Sequence, residues 1–298
     1  MASGVVILKK EGDISSFGAV RRVQRIFGAK KAGHTGTLDP MAEGVLPVLI
    51  DGAVKASEFM LTADKHYTAT LRLGITTDTE DIWGEVLSKS DALPTELEVM
   101  AAIDSFVGVI RQTPPMYSAL KVGGRKLCDL AREGAVIDRE AREITVFSID
   151  AERISESDYS LKVHCSKGTY IRTLCADIGR ALGCGGVMAS LLRTEASGFT
   201  LDMAHTLGEL ESMSPDERLS VLVPTEEIFA RLSEVRLPPF FAKLAKSGLE
   251  IYVKKIGVNA EILQRFRMKD EHGRFFAVGE AREYEDGIAI KPIRQFID

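Results

Sequence analysis

Cysteine is scarce in this chain: only Cys128, Cys165, Cys175 and Cys184 occur, and no two of them form a C-x-x-C pair. Zinc ribbons and dithiol redox centres are built on that spacing, so neither is expected. Free thiols of this kind fit a reducing cytoplasm. Long apolar runs are also missing. Nothing approaches the roughly 18 consecutive apolar residues of a membrane-crossing helix, and the opening MASGVVILKKEGD carries too short a run for a signal peptide. A cytoplasmic protein with no membrane association is therefore expected. Neither the Gly-Lys-Ser/Thr ending of a P-loop nor a G-x-G-x-x-G fingerprint occurs, which removes the corresponding nucleotide sites. There is no internal repeat and no low-complexity tract, so repeat architectures and biased tails are excluded as well.

What is present is a chain of 298 residues, enough for about two domains, the first large enough to bury a full core. Hydrophobic residues at 45% and charged residues at 27% belong to a folded protein rather than a disordered one. The formal net charge of −5 argues against a polyanionic partner only until it is resolved along the chain. Residues 1–50 carry seven Lys or Arg against four acids and residues 235–298 carry twelve against nine, so each end stands at +3 and the middle at −11. Such a split is compatible with basic surfaces at both ends gripping a polyanion while the acidic middle faces away.

Hydrophobic periodicity supplies the elements. GVVILKK reads as a short strand, and SSFGAVRRVQRIFG as a helix begun by a serine and ended by Gly28, with Phe17, Val20, Val23, Ile26 and Phe27 on its inner face. After a glycine-rich loop, GVLPVLI reads as a buried strand and GAVKASEFML as a helix. HYTATLRLG alternates, placing Tyr67, Ala69, Leu71 and Leu73 on one side of a half-buried strand. TELEVMAAIDSFVG opens on a T-x-x-E capping box and continues as a helix. TVFSIDAERI and YSLKVHCS pair as strands, and the helix TYIRTLCADIGRALG closes at Gly183. Strands and helices mix without strict β-α-β alternation, which predicts an α+β fold with a mixed, largely antiparallel sheet flanked by helices. Pro224, Pro238 and Pro239 mark a change of texture, after which GRFFAVGEAREYEDGIAIKPIRQF reads as two strands joined at Asp286-Gly287. The chain divides there into a domain over 1–234 and a small β-rich domain over 235–298.

The stretch KKAGHTGTLDPMAEGVLPVLI, residues 30–50, sets a lone histidine and a lone aspartate among closely spaced glycines just before an apolar run. Three readings compete: a phosphate cradle of backbone N–H groups, an ordinary turn begun by Asp39-Pro40, or a loop that holds one carboxylate in a fixed pose. A positioned carboxylate can act as nucleophile or base with no metal, provided a cation keeps it ionised in a dry site. KGTYIRT at 167–173 offers Arg172 as that counter-ion, with Tyr170 two places before it. On a strand those two side chains share a face; in the first turn of a helix they do not.

The residues themselves then point further. AGHTGTLDPMAEGVLPV resembles the signature of the bacterial tRNA pseudouridine-55 synthases, the TruB family. Further segments agree in order: KHY at 65–67, TTDTEDIWGEV at 76–86, QTPPMYSALKVGGRK at 112–126, HCSKGTYIRTLCADIG at 164–179 and LLRTEASGF at 191–199. The resemblance spans nearly the first 200 residues and is faint over the last 65, where a small β module looks like the family's PUA-like RNA-binding appendage. It implies the pseudouridine synthase fold and the isomerisation of one uridine, position 55, in the T-loop of tRNA. The base is detached from its sugar and rejoined through carbon, with no redox change, metal, ATP or other cofactor. It further implies a monomer that acts on the T-stem-loop without guide RNA or protein partner.

Residue by residue, Asp39 matches the family's essential aspartate; attack on the ring, attack on the sugar and removal of a sugar proton are all open to it. Arg172 resembles its cationic partner. Tyr67 matches the ring that stacks on the flipped base and assists later proton removal, and His34 the residue that fills the space the base leaves. Tyr170 and Leu191 match pocket walls, and Lys10 a lysine of the N-terminal motif, structural or near phosphate. Residues 121–142 match a bacterial insertion that folds over the RNA, with six basic residues against four acids. Three departures stand out. Lys10 is followed by EGD where the family carries Lys-Pro-x-Gly; Cys128 and Leu130 replace aromatic residues; and MASLLRT lacks a histidine and paired arginines, leaving Arg193 alone. Two rivals are a guide-RNA-dependent relative within a multi-protein particle and a tRNA-folding chaperone without catalysis. The insertion and short tail argue against the first, the intact aspartate, tyrosine and arginine against the second.

Overall fold

A computed structural model describes residues 3–135 and 137–297. β1 (Gly4–Lys10) is buried at every position but Lys9, and α1 (Ser16–Ile26) follows, its first turn capped by the Ser15 hydroxyl. β2 (Ala32–His34) and β3 (Glu43–Ile50) bracket the glycine-rich loop. Where one continuous helix is expected next, a 3₁₀ segment over Asp51–Ala56 precedes a short α2 (Ser57–Met60). The Asp51 carboxylate accepts from the backbone N–H groups of Lys30 and Lys31, which ties the start of that segment to the chain before β2. β4 (Lys65–Leu73) alternates buried and half-buried along its whole length, as its sequence predicts. β5 (Ile75–Thr77) and β6 (Val86–Lys89) form a hairpin, α3 (Glu96–Asp104) carries the expected Thr95–Glu98 capping box, and β7 (Gly108–Gln112) follows.

The expected insertion holds the hairpin of β8 (Lys121–Val122) and β9 (Arg125–Lys126) and then α4 (Leu127–Arg132); its Val136 lies outside the described residues. β10 (Arg142–Arg153) and β11 (Asp158–Cys165) pair antiparallel, α5 (Ile171–Ala181) follows, and β12 (Gly186–Ala196) and β13 (Phe199–Thr200) lead to α6 (Leu207–Ser212) and α7 (Pro215–Ser220).

These strands make a nine-stranded sheet in the order β1-β3-β12-β4-β11-β10-β7, with β2 beside β3 and β13 beside β12. Only β3 and β12 run parallel; every other pair is antiparallel, so the sheet is mixed and largely antiparallel, with helices flanking it. The parallel seam needs a glycine. Gly44 sits at φ +107, and a Cβ there would lie 2.2 Å from the Arg193 carbonyl oxygen.

One face of α1 differs from its expected pattern. Ser16, Ala19, Val20 and Val23 are the buried residues, whereas Phe17 is 69% exposed. The rotation turns the Ser16 hydroxyl inward, where it donates to the Leu38 carbonyl and accepts from the Leu38 N–H, both at 2.8 Å. Two backbone groups that the interior would otherwise leave unpaired are thereby satisfied.

The last part of the chain builds β14 (Ser233–Arg236), α8 (Pro239–Lys246), β15 (Ile251–Tyr252), α9 (Val253–Ile256), β16 (Arg265–Lys269), β17 (Phe275–Tyr284) and β18 (Gly287–Gln295). Its five strands are ordered β14-β16-β17-β18-β15 around a core of their own that includes Phe266, Met268, Phe276 and Ile290, and the module is PUA-like. A division at residue 235 falls inside β14, two residues into the second sheet. Phe59 and Phe229 of the first part meet Phe275 and Phe296 of the second in one aromatic cluster. Among the described residues no helix is long and apolar enough to cross a membrane.

Candidate active site

The loop between β2 and β3 is held from below before it presents anything. Besides the Ser16–Leu38 exchange, the ammonium of Lys10 donates to the carbonyls of Glu11 at 2.9 Å, Pro40 at 2.9 Å and Ala42 at 2.6 Å. Lys10 has no exposed surface, and burial pushes its ammonium down to about 8. All three of its protons are spent on backbone, so it shapes the loop from behind instead of facing a substrate. Asp39 stands between these two anchors.

Arg172, the second residue of α5, reaches Asp39 with Nε to Oδ2 at 2.8 Å and Nη2 to Oδ1 at 3.3 Å. This is the fork-to-carboxylate geometry that fixes orientation as well as charge. The same guanidinium donates to the carbonyls of Thr79 at 2.9 Å and Tyr117 at 2.8 Å, and its Nη1 lies 3.5 Å from Asp81 Oδ2. Arg172 and Asp81 are buried, while the Asp39 side chain keeps 32% of its surface. One cation therefore serves two carboxylates. Burial holds the Asp39 carboxyl above its ordinary value; the neighbouring guanidinium pulls it back only in part, and Asp81 pushes in the same direction as burial.

Tyr170 is the residue before the first helical residue of α5, in extended conformation, and Gln112 clamps its backbone by accepting from its N–H at 2.8 Å and donating to its carbonyl at 3.0 Å. The kink between strand-like and helical backbone lets Tyr170 and Arg172 line one cavity, although they share no regular face. That cavity measures about 650 Å³ and is lined also by Asp39, Tyr67, Leu191 and Arg193. The size suits a nucleotide-scale ligand. Tyr67 is nearly buried, and burial raises its phenol, with the Arg193 guanidinium as the opposing influence. His34 lies at the end of β2, outside the residues that line the cavity; its Nδ1 accepts from the Gly36 N–H at 3.3 Å, and burial, aided by Arg193, lowers its pKa.

Two residues carry more of this site than their sequence context suggests. Arg193 pairs in register with Gly44 on one side and Tyr67 on the other, and donates to the carbonyls of Val45 at 2.7 Å and Gly36 at 3.1 Å. In the sequence it reads as the remnant of a pair. Asp81 stands within TTDTEDIWGEV, where three acids in four positions give no hint that one alone is buried. From the insertion, Lys126, Cys128 and Arg132 reach the cavity lining.

The TruB family pseudouridylate synthase N-terminal domain matches residues 24–171, and the tRNA pseudouridylate synthase B C-terminal domain matches residues 172–230. The chain is 44% identical over 250 residues to the tRNA pseudouridine synthase B of Alkaliphilus oremlandii, covering 84% of this chain and 83% of that protein. It is 41% identical over 278 residues to the tRNA pseudouridine synthase B of Thiobacillus denitrificans, covering 93% and 92%. Among solved structures, a chain of a Cbf5-Nop10-Gar1 complex superposes with a TM-score of 0.75 at 25% identity, over 99% of this chain and 85% of that one.

Proposed function

Since this chain belongs to the TruB family of pseudouridylate synthases and is a tRNA-modifying isomerase, we propose that its target is the uridine at position 55 of the T-loop, and that it acts alone in the cytoplasm. The observation that supports this most is a carboxylate, Asp39, bridged at 2.8 Å to a buried guanidinium in a cavity of about 650 Å³. A domain that only gripped RNA would have no use for it, because taking two charges out of water is costly unless the charge itself is needed.

Isomerisation breaks the bond between N1 and the sugar, forms one between C5 and the sugar, moves the C5 proton off and returns one to N1. No electrons are gained or lost. A carboxylate that attacks the ring, attacks the sugar or takes a sugar proton must in each case be ionised and close to the nucleotide. Arg172 favours the ionised form of Asp39 against the effect of burial, and the anchored loop keeps it aimed. The target uridine is stacked inside a folded loop, so it has to be extruded at a cost of a few kcal/mol, returned by protein contacts. Tyr67 supplies a ring for that. Burial raises its phenol, which therefore stays protonated at neutral pH, so Tyr67 stacks on the base and can donate a hydrogen bond to it. Leu191 and Tyr170 wall the base. Lys10 and His34 act one layer back, Lys10 on the loop backbone and His34 as a neutral ring poised at its edge. Lys126 and Arg132 of the insertion are suited to RNA phosphates, and the basic module over 235–298 to RNA beyond the T-loop.

The test uses unmodified tRNA carrying uridine tritiated at C5, with purified protein, no guide RNA and no added metal. Release of one tritium per tRNA is expected, and none from a transcript with cytidine at position 55. Unchanged release from that transcript would place the target elsewhere.

The pH dependence has a fixed sign. Because the folded Asp39 holds its proton to higher pH than a free aspartate, turnover should fall in acid along a limb lying above the ordinary carboxylate range. Stability runs the other way for this group: the folded state binds more protons, so its contribution weakens as pH rises from the unfolded to the folded pKa. A pH profile of kcat/KM, which reports the free enzyme, whose acid limb matched an unperturbed aspartate would refute the first expectation.

A further inference from the structure

Two large apolar side chains that stand exposed also line the cavity: Leu61 at 48% and Trp83 at 56%. Trp83 is the only tryptophan of the chain, and an indole on the surface is a hydrophobic group left without cover. The segment that presents it, between β5 and β6, is tightly built. The Trp83 N–H donates to Asp81 Oδ1 at 3.1 Å, the Thr79 hydroxyl donates to the same oxygen at 2.7 Å, and the Ile82 N–H donates to the Met188 carbonyl at 3.0 Å. Gly84 closes the turn so tightly that a Cβ there would lie 2.2 Å from the Thr79 hydroxyl. The carboxylate that fixes the Trp83 backbone is the one whose other oxygen faces Arg172, the partner of Asp39. The backbone that carries the indole is thus held at a set place relative to the ion pair, on a tightly bonded turn at the wall of the cavity.

We propose that Trp83 is a stacking platform for an unpaired base of the RNA loop, adjacent to the uridine that enters the cavity. Extrusion of one nucleotide strips its neighbours of a stacking surface, and an indole carried on an anchored turn beside the cavity restores one without regard to base identity, since every base has a π-face. Trp83 is a positioning residue in this account and takes no part in bond making. The inference rests on the reading that the cavity receives a uridine of the T-loop.

The sole tryptophan reports on itself. With full-length protein and an unmodified T-stem-loop RNA, tryptophan emission should change saturably at one RNA per protein. Trp83→Ala should weaken binding and raise KM by roughly tenfold or more, with single-turnover conversion at saturating RNA nearly unchanged, and Trp83→Phe should recover most of the loss. A scan of abasic sites through the RNA loop should find one position whose removal weakens wild type but not Trp83→Ala. Emission that ignores saturating RNA, a Trp83→Ala protein with wild-type KM, or abasic sites that all cost both proteins equally would overturn the proposal, and would leave the indole for a protein partner instead. The two readings fail separately: wild type that converts the RNA while emission stays flat sinks only the platform, whereas wild type that converts nothing sinks the target on which it rests.

Discussion

Asp39→Asn is expected to lower uridine conversion by at least roughly a thousandfold while tRNA affinity stays within a few fold. Asparagine keeps the shape and can still accept from Arg172 through its one oxygen, so the loop anchored by Ser16 and Lys10 has no reason to move. What disappears is the negative charge, and with it every route that needs an ionised carboxylate. The fold should not suffer. Burial raises the Asp39 carboxyl despite its cation, so at neutral pH the ionised form is the one the folded state disfavours, and a neutral replacement should leave the melting temperature equal or higher. Arg172 is not orphaned, because Asp81 remains beside it. Tritium release, RNA titration and thermal melting check the three parts. Turnover at the wild-type rate would remove Asp39 from the chemistry, and a variant that no longer folds would remove the claim that its charge is a cost carried for function.

Arg172→Met should act in the opposite way on stability. Asp39 and Asp81 then face each other with no cation, and breaking a buried pair of this kind costs about 3 kcal/mol or more. Without the guanidinium nothing offsets the burial that raises the Asp39 carboxyl, so the folded variant binds more protons than the unfolded chain over a wider pH range than wild type does. Its deficit against wild type should therefore be largest near pH 8 and shrink toward pH 5. Urea denaturation at the two pH values measures this directly. Arg172→Lys keeps the charge but has no planar fork to meet Asp39, Asp81 and the carbonyls of Thr79 and Tyr117 together, so it should recover part of the stability and little of the rate. A methionine variant as stable as wild type at pH 8 would mean that solvent, not Arg172, compensates the two acids.

Much of this architecture can be read from the chain without coordinates, and the reason differs by element. The alternation in β4, the capping box at Thr95 and the unbroken apolar run of β3 are local patterns, and local patterns are enough to set which side of a strand is buried and where a helix starts. The same periodicity misjudges α1, where Phe17 lies outside and Ser16 inside, because a single hydrogen-bond exchange with Leu38, 22 residues away, outweighs one phenyl ring at the start of the helix. Tyr170 and Arg172 show a second kind of limit: whether they converge depends on where strand-like backbone turns helical, and Gln112, 58 residues earlier, is clamped there.

By itself, then, the sequence determined the mixed α+β fold, the small β-rich module after it, the family, and a carboxylate, a phenol and a guanidinium worth bringing together. Only the tertiary structure decided that Asp81 shares the guanidinium, that Lys10 and Arg193 donate to backbone carbonyls, and that one indole stands at the cavity wall. The physical reason is that burial pattern follows from the spacing of side chains along a few turns of chain. The balance of buried charge depends on groups that lie as far as 133 residues apart and meet only when the sheet is assembled.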